Sequence, residues 1–351
     1  MSFRHEIESN LEKELAATKA RGLYRSIKPQ PADRVDFVTN DYLCLSRREE
    51  LVNAAVLAAR NEGAGARAAR LLGGDGAAHR AAEERCAKWM KTESALLLPS
   101  GSQANFAILG ALLREGDCVF SDIHNHASIV DGIRLTKARR FIYSALEDLE
   151  DQLLSASSAR RRIIITDAIF SIDGRFAELN EIVALAEMYK AGVVVDEAHA
   201  AGVVGPKGRG LCAREGVDDR VLARVVTGGK ALGVAGAFIV GSRFVIDSVI
   251  NYSRAFIFTT APPAPVAAAL AAAIEIVENA DAERARLQHL QQFFHKQLES
   301  NGIEVEERNC PIVYIELGSA MRAAAVAESL QNELLDIRAI RPPTVPVGWS
   351  G

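Results

Sequence analysis

The hydrophobic pattern changes period several times along the chain, and each change marks an element. Ile7, Leu11, Leu15 and Thr18 recur at helical spacing among charged residues, so the first twenty residues are predicted to form an amphipathic helix. A break is expected at Lys28–Asp33. Beyond it, short apolar runs at Val35–Thr39, Ala95–Leu98, Cys118–Ser121, Arg140–Tyr143, Arg162–Thr166, Val193–Val195, Arg224–Val226 and Ala237–Val240 predict buried strands. Helical patterns such as Gln103–Leu113, Ile129–Lys137 and Glu181–Lys190 lie between them. Strands alternating with helices at this spacing predict an α/β fold, a mostly parallel sheet covered on both faces.

The prolines of Ala261–Pro265 punctuate the chain before a long helix expected over Pro265–Asn301, and a domain junction is expected there. Strands at Glu304–Glu307, Ile312–Glu316 and Ile337–Ile340 and a helix at Arg322–Asn332 would build a smaller α+β domain. The expected organisation is thus an N-terminal helix and arm (1–45), a large domain (46–260) and a small C-terminal domain (261–351).

At 351 residues, 49% hydrophobic and 25% charged, the chain can bury a sizeable core and does not read as disordered. A net charge of -4 gives no basic face, so neither nucleic acid nor an anionic membrane surface is an expected partner. The N-terminus lacks an apolar h-region, and no charge-free apolar run of about 18 residues occurs. Five scattered cysteines without a C-x-x-C pair suit buried thiols in a reducing cytoplasm.

In α/β sheets ligands collect at the carboxyl ends of strands, so the residues that follow the apolar runs carry the candidate chemistry. Four such places stand out. Ser100-Gly101-Ser102 opens a helix whose free N–H groups suit a phosphate, or serves as a plain N-cap. Asp122-Ile123-His124-Asn125-His126 and Asp196-Glu197-Ala198-His199 offer carboxylates and imidazoles, but no third ligand is fixed, and no metal is expected. Asp-Glu-Ala-His also spells a helicase box, yet Arg224 stands where a phosphate loop ending at Gly229-Lys230 would need its first glycine. Finally, Thr227-Gly228-Gly229-Lys230 sets a lysine among glycines at a strand end, where a poorly solvated amine can attack a carbonyl. Together the four places meet the needs of pyridoxal 5′-phosphate: a Schiff-base lysine, an anion-binding helix start, an acid for the pyridine nitrogen and a flat group over the ring.

The ordered motifs Thr39-Asn40-Asp41-Tyr42-Leu43, Asn125-His126-Ala127-Ser128, Phe170-Ser171-Ile172-Asp173-Gly174, Asp196-Glu197-Ala198-His199 and Thr227-Gly228-Gly229-Lys230 resemble those of the α-oxoamine synthases, and the likeness covers essentially the whole chain. The resemblance implies the pyridoxal-phosphate transferase fold of type I, like that of aspartate aminotransferase. It implies Lys230 as the covalent anchor, Asp196 on the pyridine nitrogen, His126 stacked on the ring, and Ser171 and His199 near the phenolic oxygen. Gly101, Ser102 and Thr227 would hold the phosphate. Thr259 or Thr260 of a second subunit would join them, which implies a homodimer with shared active sites. Asn40 and Arg25 lie where the family holds substrate.

Ala339–Pro346 is similar to the branch of the family that serves biotin synthesis. That likeness implies condensation of L-alanine with pimeloyl-CoA or pimeloyl-acyl carrier protein, giving 8-amino-7-oxononanoate, CO2 and the free thiol carrier. Another amino acid, glycine or serine, with a different acyl thioester is the alternative. The family normally continues past Pro346 into a strand whose arginine grips the amino-acid carboxylate, and Val347–Gly351 carries none. The expectation is therefore a shortened small domain with weakened alanine binding, or a cofactor-binding homologue with impaired catalysis.

Overall fold

The computed structural model describes residues 3–27 and 33–351, so the break expected at Lys28–Asp33 lies, apart from Asp33, outside the described residues. The strands are β1 (Val35–Asp36), β2 (Ser94–Leu98), β3 (Cys118–Asp122), β4 (Arg139–Tyr143), β5 (Arg162–Asp167), β6 (Gly192–Asp196), β7 (Ala223–Thr227), β8 (Ala237–Gly241) and β9 (Leu335–Asp336). Seven of them form one sheet in the order β2-β8-β7-β6-β5-β3-β4. The pairings from β7 through β4 are parallel, and β8 runs antiparallel to both β7 and β2.

This sheet belongs to a compact unit of Asn40–Gly302 and Glu306–Pro311. Apart from the edge strand β4, where Arg139 and Arg140 are exposed, its strands are largely apolar on both faces because helices cover both. Leu96 and Leu98 of β2 join Ile108 of the helix Gly101–Leu112 on one side. Ala95 and Leu97 face the other, with Trp89 and Ile274 from the helices Ala77–Met90 and Ala264–Glu278. The period-two alternation of a strand thus feeds two cores from one apolar run.

The unit does not end at Ala261, where the prolines suggested a junction. The helix Ala264–Glu278 buries Ala267, Leu270, Ala273, Ile274 and Val277, so its apolar stripe belongs to the large core. The single long helix expected over Pro265–Asn301 is two, Ala264–Glu278 and Asp281–Ser300, parted at Asn279-Ala280. Asp281 and Glu283 place acidic side chains at the positive end of the second helix, which favours a fresh start there.

The other unit gathers Met1–Thr39, Ile303–Val305 and Ile312–Gly351. Within it β1 pairs in parallel with β9, and the helix Ala320–Asn332 is capped by Ser319 Oγ, which accepts from the Arg322 N–H at 3.1 Å. The strands expected at Glu304–Glu307, Ile312–Glu316 and Ile337–Ile340 do not form as such; the strand in that region is Leu335–Asp336. Apolar runs of four or five residues commit to a strand only when a neighbour pairs along their length; Leu335–Asp336 pairs with β1, whereas Ile340 exchanges hydrogen bonds with Gly351 alone and Gly318 bridges only Ser350.

One turn fixes the approach to the site. Gly233 has φ +69 and donates to the Lys230 carbonyl at 2.8 Å, and a Cβ there would stand 2.5 Å from the Ser46 nitrogen. Gly233→Ala is expected to cost about 2–3 kcal/mol in urea unfolding, because both the left-handed backbone and the Leu45–Ser46 main chain resist a side chain.

Candidate active site

The carboxyl ends of β5, β6 and β7 and the start of the helix Gly101–Leu112 enclose a cavity of about 200 Å³. It is lined by Gly101, Ser102, His126, Ser171, Asp196, His199, Thr227 and Lys230, so eight of the residues singled out in the sequence meet there. Each arrives by a strand-end or helix-start position. Asp196 ends β6 and Thr227 ends β7. Gly101 and Ser102 precede the first intrahelical hydrogen bond, made by Ala104 N–H to the Ser100 carbonyl at 2.9 Å, so their own N–H groups are free of the helix ladder. A Cβ on Gly101 would come within 3.0 Å of Thr227 Oγ1, so a side chain there would crowd the hydroxyl.

Lys230 Nζ lies 2.5 Å from His199 Nε2, and His199 Nδ1 lies 2.8 Å from the Tyr42 hydroxyl, itself 3.1 Å from Asn40 Oδ1. Since an ammonium has no acceptor, His199 accepts at Nε2 and donates from Nδ1, and Tyr42 donates onward to Asn40. Burial, reinforced by the Lys230 charge, pushes the His199 pKa down to about 2, which keeps this imidazole neutral. Burial also lowers the Lys230 pKa, against the opposing pull of Asp196 and Asp167. An amine so placed gives up its proton more readily than a surface lysine.

Asp196 is held by two donors, Ala198 N–H to Oδ1 at 2.9 Å and Asn105 Nδ2 to Oδ2 at 2.7 Å. Asp167 stands beside it in register on β5 and accepts the His126 N–H at 2.6 Å. Burial and the Asp196 charge push Asp167 well above the usual carboxylate range. Glu197 turns away from the cavity and accepts the N–H groups of Leu211 and Cys212 at 2.8 and 2.9 Å, so the acidic pair of Asp-Glu-Ala-His divides between the site and a helix start.

His124 does not join the cavity lining. Its Nδ1 contacts Arg175 at 2.8 Å and Asp122 at 3.2 Å, and no cluster of three or more metal-type side chains forms among the described residues. Thr259 and Thr260 follow the short helix Arg254–Ile257 and do not line the cavity. Asn40 is reached through Tyr42. Arg25 belongs to the other unit, where it donates to the Pro342 carbonyl at 2.9 Å.

The chain matches the aminotransferase class I and II family over residues 32–350. It belongs to that family. Within it the chain is an α-oxoamine synthase. It is 43% identical over 350 residues to the 8-amino-7-oxononanoate synthase of Anaeromyxobacter sp. strain K, covering 96% of this chain and 88% of the relative. The enzyme of the same name from Acidithiobacillus ferrooxidans is 39% identical over 359 residues, covering 97% and 92%. A solved SPT with PLP superposes with a TM-score of 0.92 at 26% identity, covering 100% of this chain and 92% of that one. The 8-amino-7-oxononanoate synthase of Francisella tularensis gives 0.76 at 29%, covering 90% of each.

Against this family background, four residues that the sequence reading assigned no role complete the site: Tyr42, Asn105, Ser128 and Asp167. Each sits inside or beside a quoted motif or at a strand end, and that adjacency was the available signal.

Proposed function

We propose that this α-oxoamine synthase condenses L-alanine with a pimeloyl thioester, carried on coenzyme A or acyl carrier protein, to give 8-amino-7-oxononanoate, CO2 and the free thiol carrier in biotin biosynthesis. Its cofactor is pyridoxal 5′-phosphate. The residues fit that group. The free N–H groups of Gly101 and Ser102 and the Thr227 hydroxyl suit a phosphate, the Asp196 carboxylate suits a protonated ring nitrogen, and Lys230 supplies the amine. When bound, the cofactor supplies an electron sink for bonds broken at the amino-acid α-carbon.

The chain's own residues do the rest. With alanine bound, Lys230 Nζ would be the base that takes the α-proton, and neutral His199 would hold that amine in place without competing for the proton. Asp196, fixed by Ala198 and Asn105, would hold its carboxylate against the ring nitrogen. His126 would cover the ring, and Ser171 and His199 would lie near its phenolic oxygen. Asn40 and Arg25 orient substrate; Asn40 is supported in this by the Tyr42–His199–Lys230 hydrogen-bond chain that ends on it. The active form is a homodimer in which Thr259 or Thr260 of one subunit completes the phosphate site of the other, a reading supported by both lying outside their own cavity.

The observation that carries the reading is the Lys230 amine bonded to a neutral His199 in the same cavity as Asp196 and His126. Thiol release is to be followed with alanine, glycine and serine, each against pimeloyl and palmitoyl thioesters. Alanine with the pimeloyl thioester is expected to give a kcat/KM at least about 10-fold above every other pair, the scale on which a pocket separates a single methylene or hydroxyl. Faster turnover of glycine or serine would overturn the choice of substrate.

A further inference from the structure

Asp196 and His126 are joined by a continuous line of hydrogen bonds. Asn105 Nδ2 lies 2.7 Å from Asp196 Oδ2 and 2.9 Å from Ser128 Oγ, and Ser128 Oγ lies 2.7 Å from His126 Nδ1. The Ser128 N–H also points at His126 Nδ1, at 3.2 Å. Asn105 and Ser128 are both buried.

The direction of every bond in this line is fixed by what each group can donate. A carboxylate only accepts, so the Asn105 amide must turn its nitrogen to Asp196, and its second hydrogen is spent on Ser128 Oγ. Ser128 Oγ, already accepting, has its own hydrogen left for His126 Nδ1. That nitrogen therefore meets two donors, the hydroxyl and the Ser128 N–H, and must carry a lone pair. The single hydrogen of the neutral ring then sits on Nε2.

We propose that Asn105 and Ser128 are positioning residues that carry the orientation of the Asp196 carboxylate across to His126 and fix its imidazole as the Nε2–H tautomer. The inference rests on the reading of His126 as the residue over the ring, and it makes that residue a directed hydrogen-bond donor as well as a flat surface. The acid that would hold the ring nitrogen and the imidazole that would cover the ring are thereby set by one network, and a change at either end reaches the other.

The charged and titratable groups around His126 are Asp167 at the end of β5, Asp196 at the end of β6, and Lys230 and His199 across the cavity. Burial lowers the His126 pKa, with Asp196 and Lys230 acting in opposite senses. Two donors on Nδ1 favour the neutral ring further, so removing one is expected to raise the protonation midpoint.

The test is nitrogen-15 NMR of imidazole-labelled protein, with the His126 signals assigned by their loss in His126→Gln. Wild type is expected to show one tautomer, with Nδ1 unprotonated. Ser128→Ala and Asn105→Ala are expected to show a mixture of tautomers and a midpoint raised by about one pH unit. Ser128→Thr, which keeps the hydroxyl, is expected to restore both. A purely structural role would lower the melting temperature of the alanine variants and leave tautomer and midpoint unmoved, which would overturn the proposal. So would an Nδ1–H ring in wild type, whether or not the variants fold. Borohydride fixation of the cofactor in the same samples reads the underlying assignment separately: fixation lost with the tautomer intact would fault that assignment and not the network.

Discussion

Lys230→Ala is expected to abolish covalent attachment of pyridoxal phosphate and to lower turnover by at least about 10⁴-fold, since one residue supplies both the nucleophile and the general base. Borohydride treatment followed by mass measurement should find the cofactor fixed to wild type and absent from the variant. The fold should survive. The substitution removes a buried amine whose charged form burial disfavours, and it leaves His199 Nε2 without its 2.5 Å partner, a loss of about 1 kcal/mol that the relieved desolvation offsets. A variant that still retained a borohydride-fixed adduct would show that another amine carries the chemistry.

The second large effect belongs to Asp196. Asp196→Ala is expected to lower kcat by about 10²–10³-fold or more, because the charge that would keep the ring nitrogen protonated disappears from a buried site. Two further consequences follow from the geometry. Asp196 opposes the lowering of the Lys230 pKa, so its loss should depress that pKa further and move the acid limb of cofactor attachment, where the ammonium cannot attack, to lower pH. Asn105 would lose the acceptor that orients its amide, and with it the direction of the line to His126. Asp196→Asn removes the charge and keeps an acceptor for the Ala198 N–H, but its amide nitrogen then faces Asn105, whose own amide must turn its oxygen toward it. Turnover within a few-fold of wild type in Asp196→Asn would show that charge at this position is dispensable.

Much of this site was legible in the sequence because strand ends are visible there. The apolar runs at Val193–Val195 and Arg224–Val226 stop at residues that the structure places on one cavity, and the sheet's geometry makes that convergence general. Tyr42, Asn105, Ser128 and Asp167 were not legible as site residues. Asn105 lies on a helix turn and Asp167 at a strand end, where a helix cap or a solvated carboxylate reads the same way. Their roles depend on partners 91 and 157 residues away for Asn105 and Tyr42. In the C-terminal segment the apolar runs were visible, but the strands expected there found no neighbour along their length, Ile340 alone exchanging hydrogen bonds with Gly351.

Periodicity and residue chemistry are local properties, so the order of elements in the large unit, the apolar inner strands and the identity of the chemical groups follow from the chain read residue by residue. Packing decided where the helix after the prolines lies, which carboxylate of Asp-Glu-Ala-His enters the cavity, and which hydrogen-bond partners the nitrogens of His126 and His199 meet. Those outcomes depend on burial and on hydrogen-bond partners brought together across the chain. A side chain's protonation and direction are set by the groups it meets, and only folding selects them.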